Sequence, residues 1–235
     1  MYRRQSIQAR AFVAALVIAG GVMIAPAPAH AQQPAAAQAP RQPMGFFVTS
    51  KGLGDGANLG GLAGADKHCQ ALAAAAGAGN RAWRAYLSQT GFQAMLPVNA
   101  RDRIGRGPWY NQRGELIAAS VEELHGDLQH DRNNIRKPSA VDERGQPVKG
   151  VGDMPNEHDM LTGSDSHGRA VIGRPQFTTC NNWTANGVGS ALLGHHDRLG
   201  GANTSWNAAH GSAGCSQQDL VGTGGAGLFY CFAAD

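Results

Sequence analysis

The sequence predicts an α+β domain: one early helix, a short second helix, scattered short strands and a long loop region. Three observations lead there. Helical spacing of apolar residues is sustained only once, over 62–75. The strand-like stretches are short and set apart by turn residues. The 33 glycines, against 6% aromatic residues, leave much irregular loop around a modest sheet. Strands and helices do not alternate in the doubly wound manner, and no repeat of convincing length is present.

Taken in order, 46–49 (Phe-Phe-Val-Thr) reads as the opening strand. Over 62–75 the chain is alanine-rich, and Leu62, Ala65, Cys69 and Leu72 fall on one helical face. Gly77 and Gly79 stop that helix. Residues 82–88 alternate and read as a strand. After Trp109-Tyr110-Asn111 comes a turn at Arg113-Gly114, then Leu116-Ile117. Ser120 followed by Glu123 forms a capping box, each side chain satisfying an orphan backbone donor, and opens a helix over 121–128. Residues 129–156 are polar and turn-rich, and on composition are the least ordered part of the domain. The final strand is expected over 227–232.

The N-terminus has the layout of a cleaved secretory signal. Arg3, Arg4 and Arg10 precede an apolar run over 11–24, then Pro26, Pro28 and the small-x-small sequence Ala29-His30-Ala31. The run falls short of the roughly 20 residues a bilayer span needs. Residues 1–31 are thus expected to be a signal, 32–44 a flexible Gln/Ala/Pro spacer, and 45–235 a single domain. The signal holds three arginines and no acid, so removing it takes the formal net charge from +3 to zero. Neither nucleic acid nor an anionic membrane is therefore implied as a partner, and no later segment approaches transmembrane length. A secreted or periplasmic location is expected.

Four cysteines, Cys69, Cys180, Cys215 and Cys231, in an exported chain imply two disulfides, with three possible connectivities. None has the C-x-x-C spacing of zinc or redox sites. Context favours joining Cys69, in the early helix, to Cys231, in the last strand, which ties the domain's ends together. Cys180 and Cys215 then close the glycine-rich segment between them, whose ordering entropy is large.

These residues carry a family likeness. The nested cysteine arrangement resembles that of C-type lectin-like domains, and within that fold the chain is similar to the endostatin domains of collagens XV and XVIII. Gly61-Leu62-Ala63-Gly64-Ala65-Asp66 with Cys69 resembles the helix carrying the first endostatin cysteine. The stretch 81–88 resembles the next strand, and Tyr110-Asn111 through Val121-Glu122-Glu123-Leu124 the central strand and second helix. Leu161-Thr162-Gly163-Ser164-Asp165, Gly168-Arg169, Cys180 and Trp183 resemble the approach to the second cysteine; 190–194 continues toward Cys215. The likeness covers most of 46–232, in order. Phe-Val-Thr-Ser, Cys-Asn-Asn-Trp and Phe-Tyr-Cys-Phe are also shared with bacterial exported proteins of lectin-like type.

The chain departs from the family at its ligand sites. Endostatins hold zinc through N-terminal histidines, which 32–45 lacks, and their heparin-binding arginines are replaced by Ala63 and Thr184. Calcium-dependent lectins use Trp-Asn-Asp before the third cysteine. Here Trp206-Asn207 is followed by Ala208, leaving few carboxylate ligands for calcium.

Asn182, Trp206 and Asn207 are the candidate ligand residues, since sugars stack on aromatic faces and hydrogen-bond to amides. Trp183, beside Cys180, reads as core. His195-His196-Asp197-Arg198, with His210 nearby, is the densest functional-looking cluster; His195 and Asp197 are candidates for a ligand or for zinc or copper. Adjacent histidines on a strand face opposite ways, so one at most joins a given site. The plainer expectation is a hydrogen-bonded loop in which Asp197 pairs with Arg198 or a histidine. Asn156, Glu157, His158 and Asp159 read as a solvated turn before a strand, and Asp165 and Arg169 as bracketing a turn. The glycines of 222–227 lack the context of a phosphate loop. Asn182-Trp183-Thr184 and Asn203-Thr204-Ser205 match the N-glycosylation pattern.

No motif implies a cofactor. The resemblance implies a non-enzymatic recognition protein that binds a glycan or a surface protein through the loop between Cys180 and Cys215. A structural or matrix-associated module is the alternative. A third is an oxidase of the formylglycine-generating type, on the same fold, which needs a reactive cysteine pair.

Overall fold

A computed structural model describes residues 42–126, 135–198 and 205–235. The expected signal, most of the spacer, residues 127–134 and the glycosylation pattern's Asn203 and Thr204 lie outside them. The domain is a mixed α/β structure. In chain order it contains β1 (Phe46–Val48), α1 (Gly61–Ala75), β2 (Trp83–Ala85), β3 (Trp109–Tyr110), β4 (Leu116–Ala118), α2 (Val121–Leu124) and β5 (Asp159–Leu161). There follow α3 (Pro175–Thr178), α4 (Cys180–Trp183), β6 (Leu192–His195), β7 (His210–Gly211), α5 (Gln217–Thr223) and β8 (Gly225–Ala233). No helix among the described residues is long and apolar enough to cross a membrane.

The last strand, β8, is the spine of the molecule. β1 pairs antiparallel along one edge, with Phe46 opposite Phe232 and Val48 opposite Tyr230. Along the other edge β5 runs parallel to the first half of β8 and β2 antiparallel to the second half. β6 and then β7 extend the sheet beyond β5. Such a strand has no solvated side, and its near-continuous apolar sequence, Leu228-Phe229-Tyr230-Cys231-Phe232, is what two-sided burial requires.

Period-two alternation splits the core in two. On one face Phe47, Trp83, Leu161, Leu193, Phe229 and Cys231 pack under α1. On the other Phe46, Val48, Tyr86, Trp109, Met160, Trp206, Tyr230 and Phe232 form an aromatic cluster closed by α2 and the β3–β4 pair. α1 buries Ala65, Cys69, Leu72 and Ala73, close to the face expected from sequence. Both disulfides have the expected partners: Cys69 with Cys231, Cα atoms 5.6 Å apart, and Cys180 with Cys215, 5.7 Å apart. The first fastens α1 directly onto β8.

Several expectations need correction. α2 ends at Leu124, four residues before the expected end, with Gly126 in the left-handed region. The described part of 129–156 is anchored in the core, since Ile135, Ala140 and Val148 join the aromatic cluster and Val48 N–H donates to Val141 C=O. Their apolar side chains are spaced with no helical or strand period, so composition alone hid them. α5 is an element the sequence reading does not include. Yet Ser216 and Asp219 form a capping box, the hydroxyl accepting from Asp219 N–H and the carboxylate from Ser216 N–H.

Candidate functional site

The polar centre of the molecule is built where β5, β6 and β7 meet. The antiparallel register of β5 and β6 sets Asp159 directly opposite His195, and β7 brings His210 alongside. His158, just before β5, stacks on His195 with ring centroids 4.1 Å apart and planes 13° apart. His195 and His210 meet edge to face at 4.8 Å.

Four donor atoms converge. Asp159 Oδ1 lies 3.3 Å from His158 Nε2, 3.0 Å from His195 Nε2 and 3.5 Å from His210 Nε2. His195 Nε2 and His210 Nε2 are 2.9 Å apart. The ligand atoms of His158, Asp159 and His195 all fall within 4.8 Å of one another. Asp159 is 2% exposed, and neither carboxylate oxygen makes a hydrogen bond among the described residues. The imidazole nitrogens are at ion-pair distance from Oδ1 but do not meet it in hydrogen-bonding geometry. A buried carboxylate without such a partner is costly.

The surrounding contacts orient two of the rings. His158 Nδ1 lies 3.1 Å from Asp197 Oδ1, and His210 Nδ1 lies 3.1 Å from the Gly211 carbonyl. Neither a carboxylate nor a carbonyl can donate, so each Nδ1 carries a proton, and in the neutral ring each Nε2 then presents a lone pair inward. Asp197 Oδ2 accepts from Val151 N–H, which fixes the carboxylate that fixes His158. Asp197 thus pairs with a histidine, though one from the neighbouring element. His196 sits in the turn just after β6. It is buried, its Nε2 meets the Lys149 carbonyl at 3.0 Å, and desolvation depresses its pKa.

Two of the expected ligand residues lie elsewhere. Trp206 is fully buried in the aromatic cluster, 4.7 Å from the Tyr86 ring and 5.3 Å from the Tyr230 ring, so its face is not offered to a sugar. Asn207 is fully buried too; its amide donates to Tyr86 Oη at 2.9 Å and to the carbonyls of Asp165 and Ser166. The polarity of Trp-Asn was legible, but a hydrogen-bonding core looks the same in sequence as a wet surface. The expected solvated turn at 156–159 is corrected as well, since Asp159 is a buried strand residue. Trp183 is core, as expected. Asp165 holds its turn by accepting from His167 and Arg169 N–H.

Asn182 has a structural task. Residues 180–183 all have positive φ, from 46° to 67°, making α4 one left-handed turn rather than an ordinary helix. Left-handed backbone costs roughly 1–2 kcal/mol per non-glycine residue. The fold holds it there through the Cys180–Cys215 bridge, the Trp183 indole donating to Ser88 C=O at 2.8 Å, and Asn182. The Asn182 amide accepts from Thr90 N–H at 2.9 Å and donates to Thr90 C=O at 3.2 Å. All four cysteines are in disulfides.

No protein-family model matches this chain, and no curated protein matches it.

Proposed function

We propose that this chain is an exported, non-enzymatic recognition protein of the C-type lectin-like, endostatin-like fold. Its ligand is a glycan or a surface protein, and its contact surface is the segment between Cys180 and Cys215. The observation that supports this reading is the way that segment is held. A disulfide and a hydrogen-bonded left-handed turn anchor its start, and it then lays β6 and β7 at the end of the sheet, with His195 and His210 on it. Binding sites concentrate on segments of this kind, irregular but rigidly supported. With Trp206 and Asn207 buried, the contact surface centres on His195, His210 and the adjoining His158.

A glycan array, run with and without added divalent cation, tests the proposal. Binding that disappears in His195→Ala, with the fold intact, supports it. No binding to any glycan and no capture of a surface protein favours the structural module. Thiol titration of the native chain addresses the oxidase reading, because that chemistry needs a reduced cysteine pair.

A further inference from the structure

We propose that His158, Asp159, His195 and His210 form a tetrahedral site for a zinc-class divalent ion, made of three imidazole nitrogens and one carboxylate oxygen. The inference stands on this chain's own geometry; it shares His158, His195 and His210 with the proposed contact surface, and metal binding read directly tests it whether or not any ligand is recognised.

Distance comes first. Four ligands about 2.0–2.1 Å from a tetrahedral ion sit about 3.3–3.4 Å from one another. Four of the six separations, the Oδ1–Nε2 ones at 3.0, 3.3 and 3.5 Å and the His195–His210 Nε2 one at 2.9 Å, bracket that spacing. The three ligand atoms that all lie within 4.8 Å of one another are those of His158, Asp159 and His195, and His210 is the outer, fourth ligand. Charge comes second. Asp159 is buried with both oxygens lacking a hydrogen bond among the described residues, at the point where the Nε2 atoms of His158, His195 and His210 also converge. A dication there would supply the positive charge this carboxylate faces no hydrogen-bond donor for, and would displace the proton that His195 Nε2 and His210 Nε2 share across 2.9 Å. The outer contacts come third: a metal-bound imidazole characteristically donates its other N–H to a carboxylate or backbone carbonyl, as His158 does to Asp197 and His210 to Gly211.

The donor set selects the ion. Calcium and magnesium take oxygen ligands, whereas imidazole suits zinc, copper, nickel or iron, and tetrahedral placement favours zinc. One feature must adjust on binding. Lone pairs of parallel rings run side by side, so the stacked His158 and His195 rings must tilt toward a shared ion. His210, the most exposed of the four with 41% of its side chain accessible, is the ligand that an outside group would displace most readily.

Cobalt(II) titration of the untagged, chelator-treated chain is the test. We expect one equivalent bound with the visible bands of tetrahedral cobalt, displaced by zinc, and a melting temperature that rises with zinc and falls with chelator. Asp159→Asn and His195→Ala should abolish the bands. Asp197→Asn, which leaves every ligand in place, should weaken affinity about 10–100-fold. His68→Ala, remote from the cluster, should bind as the unaltered chain does. If Asp159→Asn fails to fold, His210→Ala at its exposed position carries the comparison. Absence of stoichiometric cobalt or zinc binding would overturn the site, as would full-strength binding retained in both His195→Ala and His210→Ala.

Discussion

The side-chain amide of Asn207 donates to the hydroxyl of Tyr86 at 2.9 Å, across 121 residues of chain, with both groups fully buried. Tyr86 Oη also meets His125 Nε2 at 2.7 Å, and Tyr230 Oη donates to the Trp206 carbonyl at 2.7 Å. The aromatic half of the core is therefore stitched by polar tips.

Burial, the largest cause, pushes the Tyr86 hydroxyl far above the usual tyrosine pKa, against a smaller lowering by Asn207; burial raises Tyr230 likewise. With folded values above the unfolded value of about 10, both groups contribute stability that is complete below that pH and lost as pH climbs toward the folded values. In an alkaline titration followed by tyrosinate absorbance, Tyr86 and Tyr230 should stay silent past pH ~10 and ionise only as the fold opens. Early ionisation of both would show the pocket to be wet.

Asp66 of α1 takes both oxygens to Arg103 Nη2, at 2.7 and 2.8 Å, and its Oδ1 also accepts from Ala85 N–H of β2. Both side chains are largely buried, 13% and 12% exposed. Removing one partner strands a charge, so Asp66→Ala should cost about 3 kcal/mol in urea unfolding. The far more exposed Arg84, also near Asp66, should cost under about 1 kcal/mol when changed to alanine.

Gly194 leaves room for the chain crossing β6. A Cβ there would lie 1.9 Å from the Trp206 carbonyl oxygen and 2.5 Å from Asn207 Cα. Gly194→Ala should destabilise by at least about 1–3 kcal/mol in thermal melts. Gly222, inside α5 with open space around it, should behave oppositely: Gly222→Ala should stabilise by up to about 1 kcal/mol.

The two disulfides close loops of different size, with sequence separations of 162 and 35. On loop-closure entropy, replacing both cysteines of a pair by serine should cost about 5 kcal/mol for Cys69 with Cys231 and about 4 kcal/mol for Cys180 with Cys215. Denaturant midpoints of the two double variants should fall in that order. A larger loss at the inner pair would mean that release of the left-handed turn at 180–183 matters more than chain entropy.

The elements most legible in sequence were those with a local signature. The alanine-rich α1 announced its buried face, Ser120 and Glu123 marked the start of α2, and the apolar run at 228–232 could only be a buried strand. The candidate site was legible in halves. The pair at His158 and Asp159 and the cluster from His195 with His210 each stood out, but nothing local joined them, and the first half looked like a turn.

By itself the sequence determined a chain mixing helices and short strands, two disulfides with a favoured pairing that the structure bears out, and a histidine-bearing segment between the inner cysteines. Only the tertiary structure decided which polar residues meet. Strand register placed Asp159 against His195, and the packing of Tyr86 and Tyr230 drew Trp206 and Asn207 inward. Helix periodicity and capping act over a few neighbouring residues, whereas register and burial are settled by contacts many residues apart, which no local pattern encodes.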